Sequence, residues 1–102
     1  MAYQLEILVP DSEPKIVNIT GPTTLGGSEK ADLCIDNYEL PSKLCRFRVN
    51  QEVLTVMNLS GQAPSLRIKK QNLERGKMYI LDDEDVLIFG ELQIVIHETS
   101  FP

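Results

Sequence analysis

The chain has 102 residues, 42% hydrophobic and 25% charged, which fits one globular domain and leaves little room for a second. Its formal net charge of -5, from 15 acidic and 10 basic residues, opposes nonspecific nucleic-acid binding, where neutralised phosphates dominate affinity. Met1 to Pro10 lacks the basic start and long apolar run of a signal peptide, and no stretch approaches the roughly 20 apolar residues of a membrane helix, so a soluble cytoplasmic domain is expected.

The dominant period is two. Tyr3, Leu5, Ile7 and Val9 alternate with Gln4, Glu6 and Leu8 as a first strand, and Pro10 to Pro14 forms a turn rich in Pro, Asp and Ser. A second strand spans Lys15 to Ile19, and Gly21-Pro22 breaks it. Thr23 to Leu25 is a short strand closed by Gly26-Gly27, and Leu33 to Ile35 is another. Lys43 to Val49 alternates again, with Cys45, Phe47 and Val49 on one face and Arg46 and Arg48 on the other. Asn50-Gln51-Glu52 turns the chain into Val53 to Leu59, and Ser60 to Pro64 is a loop. Leu66 to Ile68 is short. Arg75-Gly76-Lys77 turns into Met78 to Leu81, and Asp82 to Asp85 is an acidic turn. Val86 to Phe89 and Leu92 to His97 form a hairpin joined at Gly90-Glu91, where a leading glycine suits a type II′ turn. The expectation is an all-β sandwich of ten or eleven short strands without helix, spanning residues 1–98 with a frayed tail at 99–102.

The chemistry-bearing residues are few. Cys34 and Cys45 sit in apolar strand contexts and read as reduced small hydrophobes. His97 is the one histidine, too few for a metal site or a catalytic triad, so no metal, cofactor or enzymatic activity is expected. Asp82-Asp83-Glu84-Asp85 lacks the ligand spacing and central glycine of a calcium loop and reads as a solvated turn. Ser42 reads first as a turn serine after Pro41 and second as a phosphate ligand. Ser28 reads first as part of a tight glycine loop and second as a donor in an anion nest. Arg46, Arg48, Arg67 and Lys69, with Lys70, Arg75 and Lys77 nearby, concentrate positive charge in an acidic chain. They are either a solvated face or a docking surface for an acidic protein partner.

Order and spacing suggest a family. Leu25-Gly26-Gly27-Ser28 is followed by Ala31 to Ile35, then Leu40-Pro41-Ser42-Lys43-Leu44-Cys45, then Asn58-Leu59-Ser60-Gly61, and finally Leu81-Asp82-Asp83-Glu84-Asp85-Val86-Leu87-Ile88-Phe89-Gly90. This series resembles the forkhead-associated (FHA) pattern over nearly the whole chain. The resemblance implies an FHA-type β-sandwich that reads phosphothreonine with loops at one end. It also implies departures. The family arginine falls on Gly27, the family serine is matched by Ser42, and the arginine after it is Lys43. The structural histidine falls on Cys45, the loop asparagine on Gln62 and its glycine on Ala63. A hydrogen bond to a charged group is worth about 1.5 to 3 kcal/mol, so the arginine missing at Gly27 removes on the order of tenfold or more in phosphate affinity. Lys43 returns charge without a planar fork. Specific phosphothreonine binding is expected to be absent or weak.

Gly27-Ser28, Pro41 and the loop Ser60 to Leu66 are similar to the cytoplasmic domain that opens the YscD-type inner-membrane ring proteins of type III secretion. That likeness implies a scaffold whose partners are cytoplasmic sorting-platform components. It implies oligomerisation through other domains, and a membrane span beyond a piece that ends, like this one, after the last strand. The alternatives are a phosphothreonine reader using Ser42, Lys43 and Gln62, and an orphan β-domain with no binding role.

Overall fold

The computed structural model describes residues 2–61, 65–68 and 71–99. Its strands are β1 (Ala2–Leu8), β2 (Lys15–Ile19), β3 (Thr23–Gly26), β4 (Leu33–Cys34), β5 (Cys45–Asn50), β6 (Val53–Asn58), β7 (Arg67–Ile68), β8 (Gln71–Asn72), β9 (Met78–Leu81), β10 (Val86–Phe89) and β11 (Leu92–Thr99). Two sheets result, one of six strands in the order β2-β1-β11-β10-β7-β8 and one of five in the order β4-β3-β5-β6-β9. The pairs are antiparallel except β3 with β4. The expected all-β sandwich of about eleven short strands is what forms. β8 was not expected: its two residues are polar and exposed, so no alternation marks them, and only pairing with β7 makes them a strand. Thr99, expected in the tail, is instead the last residue of β11, opposite Ala2.

The period-two pattern works because the register places each apolar set on one face. Leu5 faces Ile96, Ile7 faces Ile94 and Phe89 faces Leu92 in the six-stranded sheet. Leu25 faces Cys45, Phe47 faces Val56 and Leu54 faces Leu81 in the five-stranded one. All of these are buried, and together they form the core between the sheets. Burying each such side chain contributes about 1.5 to 3 kcal/mol, and a register slip of one residue would expose a whole set.

The hairpin turns carry the expected and an unexpected geometry. Gly90 has φ +62° while Glu91 stays at negative φ, which fits the type II′ turn. Between β5 and β6, Gln51 and Glu52 both have positive φ, 52° and 67°. That is the type I′ pattern, normally built from Asn-Gly, so these two residues carry left-handed strain. The Tyr3 hydroxyl donates to the Glu52 carbonyl at 2.5 Å and ties this turn to β1.

Cys34 and Cys45 are free thiols. They lie in β4 and β5, which flank β3 on opposite sides, so their Cα atoms are about two strand spacings apart, roughly 10 Å, beyond the reach of a disulfide. Burial pushes the Cys45 thiol far above its ordinary value. We expect Cys45 to resist a thiol reagent at pH 8 in the folded chain and to react fully once it is denatured. Because the folded thiol stays protonated while the unfolded one ionises near pH 9, stability is full below pH 9 and falls above it, by about 1.4 kcal/mol per pH unit from this group. Urea midpoints between pH 7 and 10 check the slope; a flat profile would refute it.

Candidate functional site

The loops after β3, before β5 and after β6 are stitched together at one end of the sandwich. The Gly27 N–H donates to the Pro41 carbonyl at 2.9 Å and the Leu44 N–H to the Leu25 carbonyl at 2.8 Å. The Leu59 N–H donates to the Leu44 carbonyl at 3.0 Å, and the Gly76 N–H to the Asn58 carbonyl at 2.7 Å. Asn58 is the clip. It is 3% exposed. Its amide donates to the Leu73 carbonyl at 2.8 Å, and its side-chain oxygen accepts the Ser60 N–H at 3.1 Å. Both polar atoms of a buried amide are thereby satisfied, as burial requires. Asn58 also forms a parallel bridge with Arg75. One residue therefore sets the loop after β6 beside the segment that leads into β9.

The result is a cleft of about 390 Å³ lined by Pro41, Ser42, Lys43, Leu59, Ser60, Gly61 and Arg75. Two cations and two serines face it. The Arg75 guanidinium passes so close to Gly61 that a Cβ there would lie 3.6 to 3.7 Å from the arginine side chain. Among the described residues neither Lys43 nor Arg75 has an ion-pair partner, and Glu74 turns instead to Lys77 at 4.0 Å. Two unneutralised cations beside hydroxyls attract a negatively charged group.

The expected site residues divide. Ser42 and Lys43 line the cleft. Gly27 is not among the lining residues, and a Cβ there would sit 2.9 Å from the Leu40 carbonyl oxygen, so a side chain would require that backbone to shift. Nor is Ser28; its hydroxyl accepts the Lys30 N–H at 3.1 Å in a local turn. Gln62 and Lys69 lie outside the described residues. Arg75, counted in sequence only as part of a basic cluster, is a member of the cleft. The bridge to Asn58 that brings it there is a tertiary contact with no sequence signal.

Of the expected basic face, Arg46 and Arg48 do not share a surface with Arg67, and Lys69 lies outside the described residues. Arg46 and Arg48 lie on the outer face of the five-stranded sheet, because Cys45 and Phe47 between them point into the core. Arg67 pairs with Ile88 in the six-stranded sheet, beside the inward pair of Ile68 and Leu87, and so faces out on the opposite side. The two groups are separated by the thickness of the sandwich. The acidic turn supports backbone: the Asp85 carboxylate accepts the Asp82 N–H at 2.7 Å and Asp83 accepts the Glu98 N–H at 2.8 Å. His97 lies 3.0 Å from Glu6 across β11 and β1. Among the described residues no group of three metal-ligating side chains forms.

No protein-family model matches the chain, and no curated protein matches its sequence. Solved structures do match. An FHA domain of the CT664 protein from Chlamydia trachomatis superposes with a TM-score of 0.83 at 12% identity, covering 98% of this chain and 100% of that one. The FHA domain of an Arabidopsis thaliana hypothetical protein gives 0.81 at 18% identity, over 99% and 88%. The chain has the FHA fold. The yeast Dun1 FHA domain, solved with a doubly phosphorylated peptide, gives 0.74 at 20% identity over 99% and 79%. Within this FHA fold, β3 ends in Gly26, whose added Cβ would meet the Ser42 carbonyl oxygen at 2.1 Å. Only glycine lets the loop before β5 press onto β3 and carry Ser42 and Lys43 to the cleft.

Proposed function

We propose that this FHA-fold chain is a non-catalytic protein–protein docking domain. We assign it to the cytoplasmic domains of YscD-type secretion ring proteins, which engage sorting-platform components without the usual phosphothreonine contacts. The close approach of Leu40 to Gly27 carries this reading. At the position that the family gives to an arginine, a Cβ would lie 2.9 Å from the Leu40 carbonyl oxygen, so admitting one would require the loop before β5 to shift as well. On this reading the gene continues past Pro102 into a single membrane span; a stop codon there would refute the ring-protein assignment.

Arg75 favours a second reading. It supplies a guanidinium from another segment to the cleft that Lys43 also lines, and this pair offers a different way to hold a phosphate or a carboxylate. Titration of isotope-labelled chain with a degenerate phosphothreonine peptide library separates the two. We expect no saturable shifts at Ser42, Lys43, Gly61 or Arg75 up to millimolar peptide. Saturable shifts there that need the phosphate and vanish in a Lys43→Ala/Arg75→Ala variant would establish the second reading in place of the first.

A further inference from the structure

The outer face of an antiparallel sandwich sheet is ordinarily polar. On the five-stranded sheet it mixes polar side chains with large exposed apolar ones. Met57 stands opposite Met78, and Thr55 opposite Ile80. Met78 is 55% exposed and Ile80 66%. Across β6 the same rows continue into Arg46, opposite Met57, and Arg48, opposite Thr55. Arg46, Arg48, Thr55, Met57 and Met78 enclose a small depression of about 60 Å³.

Two features bear on what covers this face. First, both arginines stand one strand from the apolar Met57, while Asp32, the acid beside them across β3, has its carboxylate on the Thr24 N–H at 2.9 Å. Arg46 donates to the Thr24 hydroxyl at 3.2 Å. Among the described residues neither arginine has an ion-pair partner, although the chain carries 15 acidic residues. Second, the apolar side chains and the arginines share two cross-strand rows of one surface, so a single segment can touch both. A second copy of this chain is disfavoured by its net charge of -5. A strand added beside the free edge of β9 is disfavoured by distance. Strands are about 4.8 Å apart, so such a strand would lie roughly 14 Å from β5 and leave β6 and the arginine row uncovered.

We propose that this face docks a protein segment that places apolar side chains over Met57, Met78 and Ile80 and carboxylates on Arg46 and Arg48. The surface is separate from the loop-end cleft, and the proposal stands for any protein partner, whether or not the ring-protein reading holds. The apolar contacts supply affinity, and the two guanidiniums fix register and reject basic segments.

A phage-displayed library of random twelve-residue peptides, selected on the immobilised chain, tests it. Selected peptides are then titrated by fluorescence anisotropy against the wild type and four variants. These are Arg46→Glu/Arg48→Glu, Met78→Ser/Ile80→Ser, Arg67→Glu on the opposite sheet, and Lys43→Ala/Arg75→Ala in the cleft. All substituted positions are solvent-accessible, and circular dichroism confirms retained fold. We expect selected peptides to combine acidic and apolar residues, and to lose about tenfold or more affinity with each of the first two variants but not with the last two. Failure to enrich any peptide overturns the proposal, as does enrichment of peptides without carboxylates or binding that the first two variants leave unchanged. Loss of binding only in the cleft variant overturns it and leaves the cleft as the working surface. Sedimentation that shows a dimer abolished by Met78→Ser/Ile80→Ser would assign the face to a second copy and overturn it as well.

Discussion

Asn58→Ala is expected to lower stability by about 2 to 4 kcal/mol and to disorder the loop-end cleft together with it. The substitution removes two hydrogen bonds at a residue 3% exposed, and it strands the Leu73 carbonyl and the Ser60 N–H that the side chain had satisfied. Each buried polar group left without a partner costs about 1 to 3 kcal/mol, against a total stability of roughly 5 to 15 kcal/mol for a domain of ordinary size. Asn58→Asp is a sharper variant. It keeps an acceptor for the Ser60 N–H but sets a carboxylate against the Leu73 carbonyl, so it too is expected to destabilise. Urea midpoints measure the stability, and amide shifts of Ser60, Gly61 and Arg75 report the cleft. A midpoint within 0.5 kcal/mol of wild type would mean that the loop is held by its backbone bonds alone.

Gly26→Ala is expected to destabilise and Gly21→Ala to be neutral or stabilising, although the chemistry is identical. A Cβ at Gly26 would lie 2.1 Å from the Ser42 carbonyl oxygen and 2.7 Å from its carbon, both backbone atoms that can move only by peeling the loop from β3. Overpacking of this kind costs about 1 to 3 kcal/mol, and more where backbone must shift. At Gly21 nothing lies within 4 Å of the added methyl group. There the loss of unfolded-state freedom makes the change neutral or stabilising by up to about 1 kcal/mol. Thermal midpoints decide, and a Gly26→Ala protein as stable as Gly21→Ala would show that the close approach to Ser42 is not needed for the fold.

The strands were legible because their alternation is a local signal. Lys15 to Ile19, Met78 to Leu81 and Val86 to Phe89 form where periodicity puts them, and the glycine of the last hairpin marks its turn type. β8 was not legible, since Gln71 and Asn72 show no apolar pattern and become a strand only by facing Arg67 and Ile68. The site was half legible. Ser42 and Lys43 were found through family likeness, whereas Arg75 reaches the cleft only through its bridge to a buried amide in β6. The basic face divided for a related reason. Arg46 and Arg67 carry the same charge, but the two strands belong to different sheets, and a linear sequence does not say which sheet a short strand joins.

The two ends of the chain meet in the interior of one sheet, where β1 lies between β2 and β11 along the full register from Ala2 opposite Thr99 to Leu8 opposite Gln93. On a ribosome, β1 emerges first and then waits for nearly the whole domain before its principal neighbour exists. The turn after β5 inherits the same delay, since the hydroxyl that ties it belongs to Tyr3. Closure over such separations makes for slow folding, in the range of milliseconds to seconds, and leaves β1 and β2 as an isolated hairpin until β11 has been made. A nascent chain stalled before residue 92 should therefore leave β1 and β2 open to protease, and emergence of β11 should close the sheet over them.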